Sequence, residues 1–544
     1  MRTAALKPVV CVSLALALGA SLFAGCSPFA DQRLEASKAG GGSDAADDFG
    51  VGSALEAPYG ADALMPPDPY YTESAEEYSG FEEVGFVSTA IRPLSTFSTD
   101  VDTASYCNLR RMVAQGARAS DVPSGAVRIE EMLNYFDYGY APPEGGDLFG
   151  VTSQIADCPW NPDTKLLVMG FATESAAYES TSGANLVFLI DTSGSMGTTD
   201  KLPLLQDAFA ELVEGLSESD CVSIVTYSGE ERVVLEGASG ADKRAITRAV
   251  DGLTADGSTN GEAGLEQAYR IAERYHREGG VNRIILASDG DLNVGMSSES
   301  DLHDYVSEKR ETGTYLSVLG FGSGNYKDNK METLADHGNG TYHYIDCIEE
   351  AEKVLGENLC ANIVPLADDV KLQIEFNPGE IKGYRLIGYQ NRALADEDFT
   401  DDSVDAGEIG AGHQFTIAYE LVTADSPMEI PVPDLKYGGR SGVESDTGPS
   451  RAESSEWLTC SMRYKPAGSR ESVERAYPVG SESFTIDPSD DWAFAAAVIE
   501  CGMVLQDSAY AGSASLRDAR RTVASLDLSR DDPKAGFERL LASL

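Results

Sequence analysis

Leu186-Val187-Phe188-Leu189-Ile190 runs directly into Asp191-Thr192-Ser193-Gly194-Ser195-Met196. Five consecutive apolar residues mark a strand buried on both faces, the kind found in parallel sheets covered by helices. A helical stripe follows, with Pro203 in its first turn and Leu205, Phe209, Leu212, Val213 and Leu216 on one side. The alternation continues with a strand over 222–227, helices over 243–253 and 262–276, a strand over 283–287, a helix over 302–310 and a strand over 315–320. Buried strands alternating with amphipathic helices predict an α/β fold, a doubly wound and mainly parallel sheet, over 181–360. Ligands in such sheets bind at the carboxyl ends of the strands, which directs attention to the turn at 191–196.

The flanks read differently. Over 95–180 a small α+β region is expected. Thr99-Asp100-Val101-Asp102-Thr103 precedes a helix carrying Tyr106, Leu109, Met112 and Val113, with Asp102 placed to cap it. A second helix is expected over 127–136 and a strand over 165–171. Over 361–544 the period changes to two. Val370, Leu372, Ile374 and Phe376 alternate with polar residues, as do Phe415, Ile417, Tyr419 and Leu421, predicting half-buried antiparallel strands. A strand over 457–464 follows a Gly/Ser-rich stretch at 437–455 that reads as a mobile loop. Helices close the chain at 492–505, 516–526 and 537–544.

The first 25 residues have the pattern of an export signal. Arg2 and Lys7 precede an apolar run over 9–24 that is too short to span a bilayer, and small residues lead to Cys26. Leu22-Phe23-Ala24-Gly25-Cys26 resembles a bacterial lipobox, with Phe23 where that motif usually has Leu; the resemblance implies a lipid on Cys26. Residues 26–94 are rich in Gly, Pro, Asp and Glu and show no apolar period, so they read as a solvated, self-repelling tether. Seven later cysteines stand singly, with Cys221 and Cys501 inside apolar runs that suggest burial.

The whole chain has 544 residues, with 41 basic and 89 acidic side chains for a formal charge of −48, and is 42% hydrophobic. That apolar content is enough for large cores. The charge excludes nonspecific nucleic-acid binding, which needs Lys and Arg to displace phosphate counterions, and an electrostatic hold on anionic lipid. It favours cations and basic surfaces as partners.

The chemistry gathers at three turns: Asp191-Thr192-Ser193-Gly194-Ser195, Gly257-Ser258-Thr259-Asn260 between two helices, and Ser288-Asp289-Gly290-Asp291 after a strand. All offer hard oxygen and none offers His or Cys, which suits Mg²⁺, Mn²⁺ or Ca²⁺ over zinc. Hydroxyls outnumber carboxylates, so a bound metal would lack anionic oxygen and could accept an Asp or Glu from a partner.

Asp-x-Ser-x-Ser with a distant Thr and a distant Asp-Gly resembles the metal-ion-dependent adhesion site of von Willebrand factor type A (VWA) domains. The resemblance implies that Ser193 and Ser195 ligate the metal directly, that Thr259 is a third ligand, and that Asp191 and Asp289 act on it often through water. One divalent cation is expected, Mg²⁺ first, with Mn²⁺ or Ca²⁺ as alternatives. Further stretches, among them Gly320-Phe321-Gly322-Ser323-Gly324-Asn325-Tyr326, Tyr384-Arg385-Leu386-Ile387-Gly388-Tyr389 and Asp405-Ala406-Gly407-Glu408-Ile409-Gly410-Ala411-Gly412-His413, resemble one bacterial family of exported, often lipid-anchored VWA proteins, the YfbK family.

No enzyme is expected. The chain has no GxSxG, no GxxxxGK[ST] and no HExxH, and GxGxxG fails at its last position in Gly320-Phe321-Gly322. A hydrolase using Asp289 or Asp291 as base would call for two metals, and ligands for one are present. His337 and His343 flank a turn and read as structural, and Asp398, Asp401, Asp402 and Asp405 as a solvated loop. The expectation is a lipid-anchored protein of the bacterial envelope whose metal site binds an acidic residue of an envelope or extracellular partner. The alternative is an envelope assembly protein whose metal only stabilises the A domain.

Overall fold

The computed structural model describes residues 75–80, 82–175, 183–290, 299–430, 455–530 and 532–544. Cys26, the signal segment, Asp291 and residues 437–454 of the expected loop lie outside them. β1 (Val87–Ser88) and β2 (Leu94–Ser98) lead to helices α1 (Ala104–Ala114) and α2 (Ile129–Asn134), then to β3 (Phe149–Asp157) and β4 (Lys165–Thr173). Helix α1 buries Tyr106, Leu109 and Met112, as its period predicts. Asp102 does not cap it. Thr103 holds the N-cap position without a side-chain capping bond, its hydroxyl lying 3.0 Å from His343 Nδ1, and Asp102 Oδ1 accepts the Tyr342 amide at 2.7 Å.

The tether ends earlier than its composition suggests. The amides of Ala75 and Glu77 donate to the carbonyls of Gly324 and Tyr326 at 2.8 and 2.9 Å. Glu76 pairs with Arg111 at 3.0 Å, and Glu83 with Arg385 at 3.3 Å. These acids read as self-repelling in sequence, but each meets a buried guanidinium contributed from far along the chain.

The α/β region comprises β5 (Ala184–Asp191), α3 (Leu202–Gly215), β6 (Cys221–Tyr227), β7 (Glu231–Ser239), α4 (Lys243–Asp251), α5 (Gly261–Arg274), β8 (Val281–Ser288), α6 (Glu299–Arg310), β9 (Tyr315–Phe321), α7 (Asp328–His337) and β10 (Tyr342–Ile345). The sheet order is β10-β9-β8-β5-β6-β7, parallel except for β7 at the edge. All eight residues of β5 are buried. Val187 and Leu189 pack on the α5 side with Leu265 and Ala268; Leu186, Phe188 and Ile190 pack on the α3 side with Leu205 and Phe209. Because β6 and β8 leave β5 on opposite sides, the turn after β5 sits where ligands are expected in such sheets. The edge strand β7 had no sequence signal, since most of its residues are exposed and carry no alternating apolar face.

Past a short helix α8 (Ile348–Glu352), a π-helical turn and α9 (Leu359–Ile363), the chain forms β11 (Pro365–Phe376), β12 (Ile381–Ile387), β13 (Gly407–Gly410), β14 (Gln414–Thr423), β15 (Glu456–Pro466) and β16 (Val473–Gly480). Three helices follow, α10 (Asp490–Leu505), α11 (Leu516–Ser525) and α12 (Pro533–Ser543). The two flanks, read as separate regions, interleave. One antiparallel sheet runs β1-β12-β14-β4-β3; the other runs β13-β11-β15-β16 with β2 also on β11. Leu167, Met169, Ile417 and Tyr419 of the first share a core with Leu372, Ile374, Cys460 and Met462 of the second, a sandwich of two sheets. Helices are shared too: Phe136 of the N-terminal flank packs edge-on against Phe494 of α10 and Phe537 of α12, with ring centroids 4.8 and 5.7 Å away. The seven described cysteines are unpaired. Cys501 is buried as expected, whereas Cys221, opening β6, is only half-buried. No helix among the described residues is long and apolar enough to cross a membrane.

Candidate functional site

The turn after β5 is held by its own backbone. Asp191 Oδ1 accepts the Ser193 amide at 2.8 Å, and the Ser193 and Ser195 Oγ atoms lie 3.0 Å apart. The next loop is tied to it twice, by the Asp256 amide on the Thr192 carbonyl at 2.8 Å and the Gly194 amide on the Gly257 carbonyl at 3.1 Å. That brings the Thr259 loop against the Asp191 turn. From β8, Ser288 Oγ donates to Asp191 Oδ2 at 3.3 Å, and Asp289 follows it. The five predicted positions therefore lie on three contiguous loops at one sheet edge. Asp191, Ser193 and Asp289 form a buried floor; Ser195 and Thr259 are half-buried at the rim.

Burial, and after it the neighbouring Asp289 carboxylate, pushes the Asp191 carboxyl up to about 7. A carboxylate held out of water beside a second one is destabilised as an anion, and a hard cation relieves that strain. The oxygen-only donor set, with hydroxyls 3.0 Å apart above the acids, fits one divalent ion of the Mg²⁺ class. Asp191, Ser193, Ser195, Thr259 and Asp289 are the residues that would hold it.

Sequence reasoning missed Lys201. Its Nζ lies 2.9 Å from Asp289 Oδ2 and 2.9 Å from Asn325 Oδ1, with the side chain 5% exposed. An internal ammonium therefore already sits on one floor acid. Gly322 makes room for it: a Cβ there would stand 2.1 Å from Lys201 Cε, and its φ is +73°. The Gly320-Phe321-Gly322 turn, read as a failed nucleotide motif and as a family stretch, was the available signal. The two histidines singled out in the sequence sit in structural surroundings and do not pair with each other. His337 packs against His303 at 4.1 Å between ring centroids, while His343 and His413 both reach Asn362 Oδ1, at 3.1 and 3.2 Å.

The parallel sheet and the three-loop edge define a class, and sequence profiles agree with it. The von Willebrand factor type A domain profile matches residues 185–356, and a profile described as von Willebrand factor matches 72–168. The chain is thus a VWA-domain protein, a class that commonly engages partners through a metal-ion-dependent adhesion site. A third profile, "Uncharacterized protein YfbK, C-terminal", matches 361–543. YfbK of Escherichia coli is 39% identical over 475 residues, 85% of this chain and 80% of that protein; the chain belongs to the YfbK family. Inter-alpha-trypsin inhibitor heavy chain H4 of Sus scrofa is 33% identical over 146 residues, 25% of this chain but 16% of that protein. Among solved structures, a von Willebrand factor type A protein from Catenulispora acidiphila aligns over 72% of this chain and 86% of its own at 17% identity and TM-score 0.39. Proximal thread matrix protein 1 from the mussel byssus, with a zinc-occupied MIDAS motif, aligns over 32% of this chain and 44% of its own at 22% identity and TM-score 0.27.

Proposed function

We propose that the chain is a non-enzymatic binding module, exported and anchored at the extracytoplasmic face of the bacterial envelope by lipid on Cys26. Its strand-edge site takes one Mg²⁺ and through it grips an Asp or Glu of a partner protein. The observation that carries this reading is the composition of the three-loop edge: two buried acids beneath rim hydroxyls, with Lys201 already on Asp289. Such a site gives a divalent ion too little negative charge to be satisfied from within, so one outside carboxylate completes it. The adjoining groove, lined by Thr192 and Gly257 of the site loops, carries Arg232 and Arg248 against Glu230 and Asp256. That balance departs locally from the acidic excess that would repel an acidic partner.

Native membranes crosslinked and analysed by mass spectrometry, with and without EDTA, test the reading, with Asp191→Ala as the matched variant. The same partner should be lost in both. A partner set unaffected by EDTA and by Asp191→Ala would overturn it. Metal removal that lowers the melting temperature while sparing partner capture would establish the envelope-assembly alternative instead.

A further inference from the structure

A cavity of about 200 Å³ lies where the three parts of the chain meet, lined by Asp100 and Asp102 before α1, by Asp336 of α7, and by Arg392, Asp405 and Glu408. Carboxylate oxygens of Asp100, Asp102 and Glu332 come within 4.8 Å of one another. We propose that these three carboxylates form a second divalent-cation site, for Ca²⁺, which joins the N-terminal flank to the VWA domain.

Each of the three is oriented by a bond on one oxygen. Asp100 Oδ1 accepts the Asp102 amide at 2.9 Å, Asp102 Oδ1 the Tyr342 amide at 2.7 Å, and Glu332 Oε1 the Asn391 side-chain amide at 3.2 Å. The second oxygens are left without short donors. Asp100 Oδ2 has no hydrogen-bond partner although the residue is only 4% exposed. Glu332 Oε2 likewise has none, with Arg128 at ion-pair distance, 3.4 Å. Asp102 Oδ2 faces Arg392 at 3.5 Å.

Arg392 does not close the balance. Its guanidinium makes a short contact with Asp336, 2.6 Å, and stands 3.4 Å from Asp100 and 3.4 Å from Glu332, at the outer limit of a hydrogen bond. Arg128 is engaged by Glu131 and Asp328. Six carboxylates thus share two guanidiniums. A buried acid without a charge-matched partner is costly, and oxygen-only donors with several carboxylates are the coordination chemistry of Ca²⁺, which tolerates irregular geometry better than Mg²⁺.

The test uses the mature chain, stripped with EDTA, in the Asp191→Ala background so that the strand edge does not contribute. Equilibrium dialysis against Ca²⁺ should find about one ion per Asp191→Ala chain, with a melting temperature that rises as Ca²⁺ is added. Adding Asp100→Asn or Glu332→Gln should abolish both the ion and the rise. No bound Ca²⁺ in Asp191→Ala, or binding that survives both added substitutions in chains folded by circular dichroism, overturns the proposal. If one of the two fails to fold, the other decides. The strand-edge reading is scored separately, by the difference between the parent chain and Asp191→Ala.

Discussion

Asp191 and Asp289 lie beneath hydroxyls, and a single ammonium, Lys201, reaches one of them. Asp100, Asp102, Glu332 and Asp336 surround a single guanidinium, Arg392. Both regions bury acids, yet they differ in what surrounds them. At the strand edge the donors are mostly neutral and the rim is open, so charge must arrive from outside. At the junction the donors are charged, and the groups that meet them come from three distant segments, so the acids act on the chain's own assembly. The first arrangement suits reversible capture; the second suits holding parts together.

The comparison is broken most directly at Arg392. Its side chain is 10% exposed, and Arg392→Ala would leave four acids facing one another. Losing one partner of a buried ion pair costs about 3–5 kcal/mol, and the shared contacts put Arg392 at the upper end. A lower urea midpoint, with the slope unchanged, is the expected result. A loss smaller than that of Lys201→Met would reverse the ranking of the two regions.

Lys201→Met is the matching change at the strand edge. In EDTA it should cost about 3 kcal/mol, because Asp289 is fully buried. Mg²⁺ should restore most of that, since a divalent ion supplies the missing positive charge, and the variant should bind Mg²⁺ more tightly than the parent by calorimetry. Destabilisation that Mg²⁺ leaves untouched would mean that Lys201 serves packing alone. Gly322→Ala, which strikes the same lysine through a Cβ at positive φ, should resemble Lys201→Met in EDTA.

What sequence could reveal followed the range of its interactions. The five-residue apolar run and the spacing-two turn are local, so the α/β region and the turn carrying Asp191, Ser193 and Ser195 were legible; Thr259 and Asp289 were joined to that turn by the resemblance to VWA domains. Lys201 was not legible because its meaning depends on Asp289, Gly322 and Asn325, whose distances along the chain carry no periodic signal. The shared sandwich was hidden for the same reason: β4 pairs with β14 across some 240 residues of intervening chain. Asp102 looked like a cap because capping is the local use for an acid before a helix; its actual partner, the Tyr342 amide, belongs to β10. Glu76 and Glu83 looked solvated because Arg111 and Arg385 lie elsewhere in the sequence.

The junction side should also respond to acid. His343 is buried, and that burial pushes its imidazole down to about 4. Glu350 and the Asn362 bond oppose the shift, whereas Lys353 and Arg283 add to it, with His413 sharing Asn362. The folded state then binds fewer protons than the unfolded one, whose imidazole titrates near 6.5. Stability is present above pH 6.5 and falls as pH drops toward 4, by up to about 1.4 kcal/mol per unit. His343→Gln should flatten that part of the stability curve, measured by urea midpoints at successive pH values; an unchanged slope would place the acid sensitivity elsewhere.

Ser195→Ala is expected to have the smallest effect on stability and tests the strand edge most selectively. Ser195 is half-buried, and its hydroxyl meets Ser193 Oγ at 3.0 Å, so its loss should change stability by no more than about 1 kcal/mol. Mg²⁺ affinity should fall by about 10-fold or more, the usual size of a change in a metal's coordination environment, and partner capture should fall with it. A junction carboxylate behaves in the opposite sense, since Asp102→Asn alters the tie to β10 while leaving the strand-edge ligands in place. Calorimetric Mg²⁺ titration beside thermal unfolding separates the two. If Ser195→Ala lowers the melting temperature as much as Asp102→Asn and leaves Mg²⁺ binding unchanged, the strand edge is a structural turn, and the contrast between an open site for capture and a closed joint for assembly fails.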